Sequence, residues 1–353
     1  LKTKVLIRFF SFFLLAGLTF SAFGQEAQEK TEPEGKFDAS SFILDHIADS
    51  HEWHILTRQN GENIAVYLPV ILYSKEKGLD VFSSRQLAEG KVYKGYKLEE
   101  EGDLKGKIVS VNSEGIADEE NLPYDFSITK AVVGMLSAAI IGLILFISLS
   151  RSYKKTGISH PKGIQGFLEP LILFVRDDIA IPNIGHHKYV RYMPYLLSVF
   201  FFILLNNLMG LIPFPPPFGA NVTGNIALTF VLATFTFLIT QLSANKAHWK
   251  HVFAAPGVPW WLLPIMIPVE LIGLISKPFA LMIRLFANIT AGHIIVLSLI
   301  CLIFIFNSLA VAPVSIFFVI FMDCLELLVA LLQAYIFTLL SSLFIGMAVQ
   351  ENH

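Results

Sequence analysis

The sequence predicts an α-helical polytopic membrane protein that carries a small, mostly β module at its N-terminal end. Three observations carry this. The chain of 353 residues is 54% hydrophobic and only 15% charged, with 31 phenylalanines, which is too apolar for a soluble domain of this length. Most carboxylates precede residue 126, whereas the second half holds long windows with none, so a formal net charge of −2 conceals an acidic soluble part joined to a neutral membrane part. Lysines and arginines gather at the ends of the apolar runs, where they assign sides.

At the N-terminus, Lys2, Lys4 and Arg8 precede the apolar run Phe9 to Phe20, and Ala22-Phe23-Gly24 sets small residues before Gln25. This pattern predicts a secretory signal peptide over residues 1–24. Residues 25–126 then form an extracytoplasmic module: a Glu/Lys/Gln-rich linker, followed by sequence in which Ile64–Tyr73, Leu79–Phe82 and Lys107–Val111 read as strands. The first of these contains a proline. The run Asp45-His46-Ile-Ala-Asp49-Ser-His51-Glu52-Trp-His54 is rich in possible ligands, yet its spacing matches no common zinc pattern. No metal site is expected there.

The membrane domain is expected over residues 127–350. Its first span, about 128–149, is closed by Arg151, Lys154 and Lys155, which puts that end in the cytoplasm. Next, Gln165–Ile181 is apolar on one side and carries Glu169, Arg176 and Asp177 elsewhere, the pattern of an amphipathic helix along the inner membrane surface. A second span, about 195–212, ends at Pro213-Phe-Pro-Pro-Pro217, and a third, about 226–242, is closed by Lys246 and Lys250. The connection 213–225 has neither lysine nor arginine and belongs outside. Residues 260–350 would be about 135 Å long as continuous helix, against a hydrocarbon core of about 30 Å. Four short spans or two very long, strongly tilted helices both fit, and no lysine or arginine follows Arg284 to decide between them.

Arg284 is the residue with most to explain. A guanidinium at membrane depth costs at least a few kcal/mol and does not lose its proton. Glu270, Lys277 and Arg284 are seven apart, so on a helix each is offset by only about 20° and all share one stripe, which Asn288 joins. Such a stripe either joins helices through mutually satisfied charges or carries charge across the membrane. His293, nine residues past Arg284, falls on roughly the opposite side, so polar groups on two faces suggest two separate aqueous approaches. Further on, Asp323, Glu326 and Gln333 stand in apolar sequence, the last two again sharing a stripe. His293 with Glu326 is the natural pair; polar glue between helices is the competing reading.

Little else carries chemistry. Cys301 and Cys324 read as small packed hydrophobes. A Gly-rich phosphate loop, a nucleophile elbow and a basic aromatic patch for nucleic acid are all missing from the sequence, which argues against a self-contained catalytic centre. A secondary transporter also uses midplane charges and broken helices, but it would show symmetry between halves, and none is visible.

The blocks Pro161-Lys-Gly-Ile-Gln-Gly-Phe-Leu-Glu169, Asn207-Leu-Met-Gly-Leu-Ile-Pro213, Glu270 with Ser276-Lys-Pro278, Arg284-Leu-Phe-Ala-Asn288 with Ala291-Gly292-His293, and Gln333-Ala-Tyr-Ile-Phe337 occur in this order. Over about residues 128–350 the chain resembles subunit a of the F-type ATP synthases. The resemblance implies about five transmembrane helices, the last two long and tilted over about 260–304 and 312–349, and a cytoplasmic C-terminus in the inner (plasma) membrane. It implies a non-catalytic, proton-translocating subunit without cofactor or metal. Its partners would be the c-subunit ring, the peripheral-stalk subunit b, the rest of the complex and membrane lipid, with no nucleic acid. By the same resemblance Arg284 faces the c ring, Glu270 lies on the cytoplasmic path, and Asn288, His293, Glu326 and Gln333 lie on the path from outside; Lys277, Asn207 and Asp323 would support them. Many bacterial members have glutamate where His293 stands and histidine where Glu326 stands, so here acid and imidazole are exchanged. The N-terminal module is a departure from the common bacterial pattern.

Overall fold

The computed structural model describes residues 39–57, 63–75, 77–99, 102, 104–112, 122–156, 163–212, 215–253 and 259–349. The expected signal peptide and the linker that follows it lie outside these residues.

The module opens on a helix, α1 (Ala39–Ile47), which the strand pattern does not suggest. Seven strands follow: β1 (Glu52–Thr57), β2 (Asn63–Tyr67), β3 (Pro69–Ser74), β4 (Gly78–Ser83), β5 (Tyr96–Leu98), β6 (Ile108–Ser110) and β7 (Tyr124–Asp125). They pair antiparallel in three small sheets, β1-β2, β4-β3-β7 and β5-β6. The run expected as one strand over Ile64–Tyr73 is two, because Pro69 has no N–H to continue a ladder and instead begins β3. In the β3–β4 hairpin Ser74 stands opposite Gly78, whose φ of 77° suits glycine. Alternate β3 residues Val70 and Leu72 are buried with Phe82, Leu87, Tyr96 and Ile108, forming the module's core.

Within the ligand-rich run at 45–54, Asp45 and His51 make structural contacts. Asp45 pairs with Lys105, and His51 Nε2 donates to Asp125 Oδ2 at 3.0 Å. Burial raises the Asp125 carboxyl, but the hydrogen bonds from His51 and from the Ser127 side chain and backbone outweigh it and hold Asp125 below its ordinary range. Among the described residues no three His, Cys, Asp or Glu side chains converge as metal ligands would.

The membrane domain comprises α2 (Lys130–Thr156), α3 (Ile164–Phe174), a π-helical turn (Val175–Ala180), α4 (Ile181–Ile184), α5 (Tyr189–Leu211), α6 (Ile226–Ser243), α7 (Lys246–Phe253), α8 (Leu263–Ile305) and α9 (Ala312–Val349). Five of these, α2, α5, α6, α8 and α9, are long and apolar enough to cross a membrane. The ambiguous last stretch is two continuous helices of 43 and 38 residues rather than four short spans. At 1.5 Å per residue they are about 65 and 57 Å long, twice the hydrocarbon thickness. Pro268 and Pro278 lie inside α8, and Pro194 inside α5, which therefore starts six residues before the expected 195.

The expected amphipathic segment is α3, the π turn and α4. Leu168, Val175, Ile179, Ala180 and Ile184 are buried in the main core with residues of α5, α8 and α9, while Arg176 and Asp177 pair on the exposed side at 2.7 Å. Ser342 Oγ of α9 donates to the Ile179 carbonyl at 3.1 Å, and Gly346 lies so close to the Asn183 carbonyl that a side chain would not fit. Hydroxyl groups join the spans as well: the Tyr195 hydroxyl bonds Thr236 Oγ1 at 2.7 Å, and Thr236 reaches Ser341 Oγ at 3.3 Å. The last carbonyls of α9 are taken up from two other connections. Lys188 Nζ donates to Val349 O at 2.9 Å, Asn245 Nδ2 donates to the same oxygen at 2.7 Å, and Asn245 N donates to Ala348 O at 2.9 Å. The start of α5, the end of α6 and the end of α9 thus meet at one end of the bundle.

Candidate functional site

The site is arranged along α8. Arg284 is exposed on this helix among the exposed apolar residues Ile275, Phe279 and Ile283, and no hydrogen bond or ion pair joins it to another described residue. One turn further on, Asn288 Nδ2 donates to Gln333 Oε1 of α9 at 2.9 Å, across the interface of the two longest helices. Gln333 is fully buried, and its Nε2 makes no hydrogen bond. The expected grouping of Asn288 with Gln333 is therefore a direct contact.

Beyond this pair opens a cavity of about 340 Å³ whose polar lining comes from four elements: Asn206 and Asn207 of α5, Asn221 and Thr223 of the connection between α5 and α6, Asn288 and His293 of α8, and Glu326 of α9. Asn207 ties three of them together. Its Nδ2 donates to Ala330 O at 3.3 Å, and its Oδ1 accepts from Thr223 Oγ1 at 2.7 Å. Glu326 Oε1 is buried without a hydrogen-bond partner, beside Gly292. His293 and Glu326 share the cavity but make no hydrogen bond with each other, so the pair meets across space rather than in contact.

Glycine makes the space. A Cβ on Gly292 would strike the Glu326 carboxylate, with Cδ at 2.9 Å, and one on Gly210 would lie 3.3 Å from the Ala220 carbonyl and 4.0 Å from His293 Nε2. Either side chain would narrow the cavity between imidazole and acid.

On the other side of Arg284 lies a smaller cavity of about 30 Å³, lined by Thr236, Thr240, Gln241, His248, Lys277 and Phe344 among others. Lys277 is exposed, with Nζ 6.0 Å from the centre of the Phe344 ring. Arg284 lines neither cavity and stands between them on α8. Of the remaining expected residues, Glu270 is half-buried on α8 and lines neither cavity, and Asp323 is exposed, one turn from Glu326 but outside the larger cavity. Asn206, Asn221 and Thr223 were not anticipated. The signal for Asn206 was available: two adjacent asparagines inside an apolar span are each costly without a partner.

Five apolar helices with a few polar side chains in the cavities between them define a polytopic integral membrane protein in which polar groups are gathered along its longest helix. Residues 132–346 match the family model described as ATP synthase A chain, and the chain belongs to that family. It is 52% identical over 237 residues to a protein of Chloroherpeton thalassium named ATP synthase subunit a, covering 65% of this chain and 69% of that one. A Chlorobaculum tepidum protein named ATP synthase subunit a 2 is 52% identical over 236 residues, covering 65% of each chain. A Myxococcus xanthus protein named ATP synthase subunit a is 48% identical over 236 residues, covering 65% of this chain and 75% of that one. Residues 42–126 match a separate model described as a domain of unknown function.

Proposed function

We propose that this chain forms two proton half-channels against the c-subunit ring of an F-type ATP synthase, with Arg284 separating them, and so couples proton flow to rotary ATP synthesis without itself being catalytic. The observation that carries this reading is the position of Arg284 on an exposed apolar face of α8, between two cavities with polar groups in their linings, with no ion-pair partner among the described residues. A cation held there at a cost in solvation has a use if an acidic group on a partner comes to meet it.

The chemistry then runs as proton transfers. A proton from outside enters the larger cavity, passes His293 and Glu326, and is delivered past Asn288 and Gln333 to a carboxylate on the ring. The neutral carboxyl group can turn into lipid, where a charge would be costly. When a site returns from the far side, Arg284 favours its carboxylate form, and the released proton leaves by the smaller cavity, Lys277 and Glu270 toward the cytoplasm. On this reading residues 25–126 lie on the periplasmic side of the inner membrane and the C-terminus is cytoplasmic. Support comes from the basic residues Lys188 and Lys246 flanking the connections that meet the end of α9. Subunit b of the peripheral stalk and the remainder of the complex complete the partners.

Replacing Arg284 with alanine is the test. The variant is expected to insert and assemble but to lose proton-coupled ATP synthesis; synthesis at the unmodified rate in sealed vesicles would refute the assignment. Co-purification of a ring of small hairpin subunits from gentle detergent checks the partner.

A further inference from the structure

The N-terminal module is joined to the wall of the larger cavity. Asp49 Oδ1 accepts from the Ala131 N–H at 3.0 Å and Asp49 Oδ2 accepts from Thr129 Oγ1 at 2.8 Å, so the module supplies the side chain that caps the start of α2. Lys130 returns the contact: its N–H donates to Ser50 O at 2.9 Å, and its Nζ donates to His46 O at 3.4 Å, near the end of α1. Trp53 of β1 is buried together with Ala220 and Val222 of the connection between α5 and α6. The same connection lines the cavity through Ala220, Asn221 and Thr223. Gly134 of α2 lets the helix approach it, since a Cβ there would stand 2.7 Å from Val222 Cγ2. Finally, α1 itself packs against α8, and His46 and Lys130 lie within electrostatic range of the His293 imidazole.

We propose that the described residues of the N-terminal module form the outer vestibule of the larger half-channel and that His46 is the side chain through which protons reach His293. This rests on the half-channel reading above. The groups facing the vestibule divide by role. Asp49 and Lys130 hold the junction, Asp45 is paired with Lys105 at 2.6 Å, and Glu326 lies across the cavity on α9, with Asp323 one turn before it. The His46 ring stacks on Phe42 with centroids 6.0 Å apart, on the helix that packs against α8. Imidazole suits the step because it takes up and gives back a proton near neutral pH. His46 accepts one proton from the outside water and releases one toward His293 through water, ending neutral, so nothing else is consumed.

The test uses the whole ATP synthase in liposomes, with synthesis driven by a fixed membrane potential and the pH on the module's side varied. His46→Gln is expected to slow synthesis by about tenfold above pH of about 7, where proton delivery limits, and to change it little below pH of about 6. Imidazole added on the module's side should restore His46→Ala, and varying the opposite pH should affect variant and parent alike. A parental pH profile, or a uniform loss at every pH without imidazole rescue, would overturn the proposal. Co-purification of the tagged variant subunit with the rest of the complex reports that the variants are assembled. His293→Ala serves as the reference: if it too keeps the parental rate and profile, the half-channel reading fails. If it abolishes synthesis while His46→Gln is unchanged, only the vestibule fails.

Discussion

Replacing Gly292 with alanine sets a local gain against a loss at a distance. In a helix interior alanine is favoured over glycine by about 1 kcal/mol. Against this, the new methyl would collide with the Glu326 carboxylate, and Cγ of that side chain would stand 3.1 Å away. Overpacking of this kind costs about 1–3 kcal/mol when the surroundings are rigid. Here the obstruction is the far end of a flexible side chain beside a cavity of about 340 Å³, so the cost falls near the low end and the two terms nearly cancel. Stability should change by less than about 2 kcal/mol, with the subunit assembled at close to its normal amount. The carboxylate, however, must swing away from its position. A displacement of about 1 Å in a positioned group can cost about 100-fold in rate, so proton pumping should fall far more than abundance.

The assay is ATP-driven acidification of inverted vesicles, normalised to the amount of subunit in the membrane. Gly273→Ala is the control, because a Cβ there meets nothing within 4 Å on the same helix. It should leave pumping intact. If Gly292→Ala pumps as well as Gly273→Ala, then the placement of Glu326 against Gly292 has no part in proton movement, and the reasoning fails.

Two further outcomes follow from the packing. Gly346→Ala would drive a methyl into the backbone carbonyl of Asn183, which has no flexible end to move, so α4 and α9 should separate and the subunit be degraded; normal membrane abundance by immunoblot would contradict this. Asp125 is held below its ordinary range by hydrogen bonds that overcome its burial, so it contributes stability that is present above the unfolded value of about 3.9 and is lost as pH falls through the lower folded value. Hydrogen exchange of β3 and β7 amides in the intact complex should be faster in Asp125→Asn than in the parent at pH 6, and the difference should vanish under strong acid. Equal exchange at pH 6 would count against the His51–Asp125 contact as a stabilising one.

Spans were legible because their signal is local: apolar length and flanking charge fix α6 to within a residue and the start of α2 to within two, although α2 continues seven residues past the expected end through its basic cluster. The two longest helices were not, since a helix apolar all round has no periodicity from which its ends can be read. Their continuity came only from the resemblance and then from the structure. Helix α1 was missed for a different reason. It is nine residues long with none buried, too short to announce itself against a β-rich background. The candidate site divided along similar lines. Stripe arithmetic put Asn288 on the face of Arg284 and His293 opposite, and it grouped Glu326 with Gln333. It gave no hint that a gap, rather than a hydrogen bond, separates His293 from Glu326. That gap depends on Gly210, Gly292 and the 220–223 backbone, which come from different parts of the chain.

On the half-channel reading, the part a partner would play follows from what lies between the cavities. Lys277, in the lining of one, and Asn288, in the lining of the other, are eleven residues apart on α8, about 16 Å of helix. Over that interval the inward face of α8 is Leu281, Met282 and Leu285, all buried, and Leu281 and Leu285 pack in the main core with Ala334 and Phe337 of α9. On α8 this face offers a proton no hydrogen-bonding side chain, and the buried hydroxyl groups nearby, Thr338 and Ser341 of α9 and Thr236 of α6, lie on the neighbouring helices. The exposed face offers only Arg284, a fixed cation that repels the proton. On the proposed reading the apolar face of α8 therefore matters along with the arginine: α8 itself offers no route from cavity to cavity, and the proton would be carried around by a carboxylate outside this chain.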